Sequence, residues 1–189
     1  MKKLTLRLAV LAGTTLLAAA AQADGFKLSS PDIKAGGTIA KNFEFNGFGC
    51  SGENKSPVLK WSGAPKTAKS FAVMVHDPDA PTGGAGWWHW VVINVPADVR
   101  ELKSDAGNAS GANLPTGARQ VRTDFGSAAW GGMCPPQGDK PHRYNFTVYA
   151  LKVDKLDIPA DATAALAGFM INANSVGKAS FTGKYGRKK

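Results

Sequence analysis

The stretch His76–Trp90 reads HDPDAPTGGAGWWHW and brings Asp77, Asp79, His76, His89 and three tryptophans into a run rich in glycine and proline. A surface loop needs the glycines and prolines but not the tryptophans. A core strand needs apolar groups but not the aspartates. Together these residue types describe a pocket with a polar floor and stiff aromatic walls. A buried carboxylate beside an imidazole fixes its tautomer and favours its protonated form. An imidazolium then donates hydrogen bonds to an oxyanion, which is the chemistry of an anion-binding site.

The third histidine, His142, lies in CPPQGDKPHRY (134–144), just ahead of another strand-like run. If the strands ending at Asp77 and starting at His89 and Tyr144 are neighbours, their ends gather Asp77, Asp79, His89 and His142. An Asp–His pair near a second histidine also suits general acid–base hydrolysis of an ester or phosphoester, and that enzymatic alternative stays open. Other chemistries fit less well. GCSG (49–52) lacks the spacing of a serine nucleophile elbow, and no H-x-x-x-H or H-E-x-x-H metal pair occurs. The balance favours binding over catalysis, with no cofactor and no metal. His76 reads as structural, and Asp79 serves either the pocket or the turn that it starts.

Short apolar runs, punctuated by Gly, Pro, Asn and Asp, must position these residues, and they favour strands. SFAVMV (70–75) reads as a fully buried strand, HWVVINV (89–95) as its neighbour ending at Pro96, and YNFTVYAL (144–151) as an alternating one. ASFTGKY (179–185) reads as a last, partly exposed strand. One helix is predicted within 158–174, with Pro159 and Asp161 in its first turn and Ala162, Ala165, Leu166, Phe169 and Ala173 along its apolar face. KSDAGNASGANLPTG (103–117) reads as a long surface loop. The sum is a mainly β, antiparallel sandwich with one helix near the C-terminus.

Residues 1–23 have a basic start, a short apolar run and Ala21-Gln22-Ala23 before Asp24, the anatomy of a cleavable secretory signal peptide. Cleavage leaves residues 24–189 as one domain, periplasmic or secreted, with no segment long enough to span a membrane. The net charge is +9, with Lys2, Lys3 and Arg7 in the leader. The remaining basic residues are scattered apart from the tail GKYGRKK, so nothing resembles a nucleic-acid face. In an oxidising compartment, Cys50 and Cys134 pair most simply as one structural disulfide. They lack the spacing of a redox pair or a zinc site.

DPDAP (77–81), WHWVV (88–92) and PPQGDKPHRY (135–144), in this order and at these separations, closely resemble the phosphatidylethanolamine-binding protein family, which includes the Raf kinase inhibitor proteins. NGFGCSGENKSPVLKW (46–61), RTDFGSAAWGG (122–132) and FTGKYGR (181–187) resemble its bacterial branch. The resemblance covers about Phe26 to Arg187. It implies a Greek-key sandwich of two antiparallel sheets with short C-terminal helices, and a small pocket for phosphate, a phosphorylated head group or a carboxylate. Carried over position by position, that pocket comprises Asp77, Asp79, Pro81, His89, Gly132, Pro136, His142 and Tyr144, with Trp87 near the mouth. It also implies a cis bond between Ala80 and Pro81, and a protein partner that the ligand-bound state inhibits. A surface-interaction protein with a vestigial pocket is a third alternative, invited by the 103–117 loop. Asn174 departs from the pattern, since many bacterial relatives carry histidine there.

Overall fold

The computed structural model describes residues 25–189, so the proposed leader lies outside the described residues. Along the chain the strands are β1 (Lys27–Ser29), β2 (Asn46–Gly47), β3 (Cys50–Ser51), β4 (Leu59–Ser62), β5 (Ser70–Asp77), β6 (Trp87–Pro96), β7 (Glu101–Leu102), β8 (Arg119–Gln120), β9 (His142–Leu151) and β10 (Ser175–Tyr185). Among the described residues a single α-helix, α1 (Ala164–Asn174), runs directly into β10, and a short 3-10 turn spans Lys41–Phe43. The strands form an antiparallel five-stranded sheet ordered β10-β9-β5-β6-β8, a three-stranded sheet β1-β4-β7, and a hairpin β2-β3.

β5 has neighbours on both edges and is covered on both faces, which is why its sequence is apolar without alternation. Phe71, Val73 and Val75 point into the core shared with the small sheet, beside Trp61, Trp90, Phe146 and Val148. Ala72 and Met74 point the other way, into a second core with Val91, Ile93, Leu156 and Ile171. β9 alternates because its outward residues meet only part of that second layer. The architecture is therefore the mainly β sandwich anticipated, with a helix on the outer face of the larger sheet.

The helix differs from the prediction in two respects. It begins at Ala164, because the Thr163 hydroxyl accepts a hydrogen bond from the Leu166 amide and caps the first turn, whereas Pro159 ends up in a preceding turn. Its buried face is Ala164, Ala167, Gly168 and Ile171, while Phe169 is 70% exposed. Small residues win the inner face because the helix lies close to the sheet; a methyl group at Gly168 would already crowd the Met74 side chain. The 103–117 segment is a chain of turns as expected, but it is anchored. Ala106 is fully buried, and the Gly107 amide donates to the Ser56 hydroxyl at 2.8 Å.

Candidate functional site

β5, β6 and β9 end or begin at the same edge of the large sheet, because antiparallel pairing sets Asp77 opposite Trp87 and His76 opposite Asn145. That register brings Asp77, His89, His142 and Tyr144 around one cavity of about 330 Å³. Pro81, Ala80, Thr82 and Trp87 supply one wall, and Cys134, Pro135 and Pro136 the facing one. Phe48 and Phe125 complete the mouth.

Asp77 is nearly inaccessible, and both its oxygens are committed. Oδ1 accepts the Asp79 amide at 2.8 Å, and Oδ2 accepts the His142 Nδ1–H at 2.8 Å. The second bond places the proton of His142 on Nδ1 and turns Nε2 away, toward Asp139 Oδ2 at 3.6 Å. The carboxylate–imidazole pairing read from the sequence is thus present, with His142 as the partner.

His89 is held differently. Its Nδ1 lies 2.6 Å from the Gly131 carbonyl oxygen, which only accepts, so the ring proton sits on Nδ1. Burial pushes its pKa down to about 4, partly offset by the Gly131 carbonyl and by the charge of Asp77. His89 is therefore neutral near pH 7, not the cationic donor that the sequence suggested. The cause is the dry packing of its ring, edge-on to Phe125 at 5.3 Å and to Tyr144 at 5.1 Å.

The Tyr144 hydroxyl is buried at the base of the cavity and has no well-formed hydrogen bond among the described residues. Burial, and then the charge of the Asp77 carboxylate that the hydroxyl faces and its hydrogen-bonding to it, raise its pKa, so it stays protonated. A protonated hydroxyl that meets the Asp77 carboxylate only at poor hydrogen-bond geometry can turn to a better acceptor in the cavity.

Two residues of the expected set stand elsewhere. Asp79 does not line the cavity; Arg143 takes its carboxylate by Nε at 2.9 Å, a terminal nitrogen at 2.6 Å and the backbone amide at 2.8 Å. That hydrogen-bonded pairing lowers the Asp79 pKa to about 2. Gly132 also stands behind the wall. Its amide donates to Asn54 Oδ1 at 2.8 Å, and a side chain there would collide with the Phe43–Phe45 backbone. Its role is to let two backbones touch. His76 lies outside the cavity, packed at a tilt against Trp88 with ring centroids 4.1 Å apart and bonded to the Ala85 carbonyl at 3.1 Å, so it braces the loop. Asn174 ends α1, its amide donating to the Met170 carbonyl, away from the cavity.

The bond between Ala80 and Pro81 is trans, as no cis peptide occurs among the described residues. The loop turns instead through a tight bend about Pro81, in which the Thr82 amide donates to the Ala80 carbonyl at 2.7 Å. Thr82 Oγ1 then closes the loop on the Gly86 carbonyl at 3.0 Å. Cys50 and Cys134 form a disulfide with Cα atoms 6.0 Å apart. The sequence reading missed Phe48 and Phe125 as wall residues. Phe125 was within reach through the RTDFG motif, whereas nothing local marks Phe48, an exposed aromatic at φ 52° on the β2–β3 turn.

Comparison with known proteins fits this architecture. The YbcL protein of Escherichia coli K12 is 52% identical over 165 residues, spanning 87% of this chain and 90% of its own. Its crystal structure, described as a new member of the mammalian PEBP family, superposes with a TM-score of 0.83 over 86% of this chain and 98% of that one. YbhB of the same organism is 45% identical over 84% of this chain and 99% of its own. LppC of Mycobacterium tuberculosis, which carries a lipoprotein name, is 32% identical over 86% of this chain and 73% of its own. The phosphatidylethanolamine-binding protein model matches residues 29–186, nearly the whole of the described chain, and on that evidence the protein belongs to the phosphatidylethanolamine-binding protein family.

Proposed function

We propose that the protein is an exported binding protein whose cavity holds a small phosphorylated or otherwise anionic ligand, and that it binds this ligand without turning it over. The observation that carries the reading is the Tyr144 hydroxyl, buried, protonated and without a well-formed hydrogen bond among the described residues, beside the Asp77–His142 pair in a largely apolar cavity. An orphaned buried donor costs about 1–3 kcal/mol, and a ligand oxygen relieves that cost. Binding is favoured over hydrolysis by the state of the hydroxyls on the walls. That of Thr82 donates to a loop carbonyl, and that of Tyr144 resists ionisation. The apolar mouth formed by Phe48, Phe125 and Trp87 suits a substituent on the anion. Export is supported by the leader-like residues 1–23 and by the lipoprotein name of a relative. No helix among the described residues is long and apolar enough to cross a membrane. A protein partner that reads the loaded state is a further part of the proposal.

Calorimetric titration with phosphate and O-phosphoethanolamine tests the reading, using the unaltered protein, Tyr144→Phe and His142→Ala. Saturable binding is expected, weakened about tenfold by Tyr144→Phe, the loss of one hydrogen bond, and abolished by His142→Ala. Absence of binding to either probe would overturn it. Phosphoester turnover that vanishes in His89→Ala would move the protein to the hydrolases.

A further inference from the structure

The two sulfurs of the disulfide meet different surroundings. Cys50 is buried, 7% exposed, and does not line the cavity, whereas Cys134 is half-buried and forms part of the cavity wall. Arg187 roofs the bond from the side of the C-terminal tail. Its guanidinium donates to the Gly49 carbonyl at 2.5 Å and the Pro135 carbonyl at 3.3 Å, with one terminal nitrogen 3.7 Å from Cys134 Sγ. The carbonyl oxygens of Gly47 and Phe48, 3.7 and 3.6 Å from the same sulfur, crowd it from the β2–β3 hairpin. The open approach to the bond is therefore the cavity, and it leads to Cys134. At about 330 Å³ the cavity admits a small thiol but not a protein.

We infer that the cavity is also the entrance to a reactive disulfide: a small-molecule thiol attacks Cys134 Sγ from within it, and an occupied cavity closes that route. The protective half rests on the anion-binding reading above; the route itself does not. In the first step the thiolate of the small thiol forms a bond to Cys134 Sγ, the S–S bond breaks, and Cys50 leaves as a thiolate that takes a proton from water. Cys134 then carries the small thiol as a mixed disulfide. A second molecule of the same thiol, again as its thiolate, attacks the sulfur of the first and departs with it as a small disulfide. Cys134 is released as a thiolate beside the Arg187 guanidinium, where a positive charge favours that form.

Thiol–disulfide exchange depends on which sulfur can be reached and on how well the departing thiolate is stabilised. Here access selects Cys134, and Arg187 assists its later release. The mouth sets the size limit, because Phe48 and Phe125 lie stacked there with ring centroids 6.1 Å apart. The coupling between occupancy and reduction is one of access, so the reduced protein need not lose its affinity: Arg187 still joins the hairpin to the wall after the covalent tie is cut. An empty molecule in the presence of small thiols is thereby modified, and a loaded one is spared.

The test treats the oxidised protein with cysteamine for timed intervals, traps free thiols with iodoacetamide, and maps both labels by peptide mass spectrometry. It is run with and without O-phosphoethanolamine at a concentration that calorimetry shows to be saturating. Cysteamine is expected predominantly on Cys134, with the trapping label on Cys50. Saturation should slow the adduct by at least about tenfold, because only the empty fraction reacts. Phe48→Ala, which widens the mouth, should speed it a few-fold. Reduction through unfolding instead would label both cysteines alike, ignore Phe48→Ala and accelerate in mild urea, and that pattern overturns the proposed route. So does cysteamine found chiefly on Cys50. An undiminished rate in calorimetrically saturated protein overturns the protection and leaves the anion-binding reading intact. Failure of O-phosphoethanolamine to bind at all overturns that reading and the protection with it, while the position of the label still decides the route.

Discussion

At the scale of the residue, the two cavity histidines show how local partners divide one side-chain type into two roles. His142 is paired to a carboxylate, and His89 is buried against a carbonyl and aromatic edges. The consequence for His89 is a stability that depends on pH. Its folded-state pKa of about 4 lies below the ordinary value of 6.5, so between these limits the unfolded chain binds more protons than the folded one. Stability is fully present above 6.5 and is lost as pH falls through the interval, by up to about 3 kcal/mol at its lower end. Denaturant unfolding at pH 7 and pH 4.5 checks this. His89→Asn removes most of the difference, and an unaltered protein equally stable at both values would contradict it. Asp79 follows the same sign in a more acidic window, because its lowered pKa makes the Arg143 pairing vanish only as pH falls from about 4 to about 2. The pair is surface-exposed, so Arg143→Ala is expected to leave the unfolding midpoint almost unchanged.

At the scale of the element, the loop from Asp77 to Trp87 and the helix make separate demands. Gly86 adopts φ 70°, and a side chain there would press on His76 Nε2 and the Asp77 carbonyl. Gly86→Ala is therefore expected to cost more than about 1 kcal/mol and to weaken anion binding by displacing the wall that carries Pro81 and Trp87. Chemical denaturation and titration of the same sample read both effects. For the helix, Ile171→Ala should cost about 2–4 kcal/mol, because Ile171 is fully buried, whereas Phe169→Ser should change stability by less than about 0.5 kcal/mol. A reversed ranking would restore the face that periodicity suggested. That face was misread because AALAGFMINA is apolar almost all round, so the period carries little information about which side is inward. The strands were legible for the converse reason. Unbroken SFAVMV demands cover on two faces, and alternating YNFTVYAL demands it on one. The site was legible where a motif spans the residues, as at Asp77, His89 and His142. It was not legible where the charge partner lies across strands, as for Asp79, because only the β5–β9 register shows that Arg143 stands beside it.

At the scale of the whole molecule, one cavity wall belongs to no sheet. Cys134, Pro135 and Pro136 lie in irregular chain between Met133 and β9 and are held from outside. The disulfide ties Cys134 to Cys50 on the β2–β3 hairpin, across 84 residues of sequence. Arg187, from the C-terminal tail, ties the same two pieces by donating to the Gly49 carbonyl at 2.5 Å and the Pro135 carbonyl at 3.3 Å. Its own place is set by a largely buried contact with Glu44, whose Oε1 also accepts the Tyr185 hydroxyl at 3.0 Å. The covalent and polar ties therefore back each other up. Replacing both cysteines by serine should cost up to about 4–5 kcal/mol in the chain-entropy limit and weaken anion binding only a few-fold, since Arg187 still holds the wall. Arg187→Ala alone should likewise cost little affinity, since the disulfide remains. Combining the two frees Pro135 and Pro136, and the loss of affinity should exceed the sum of the separate losses by about 1 kcal/mol or more. Titration of the four proteins in a double-mutant cycle measures that excess. Strict additivity would mean that the wall keeps its place through the strand-like bridges at Met133 and Gln137 instead.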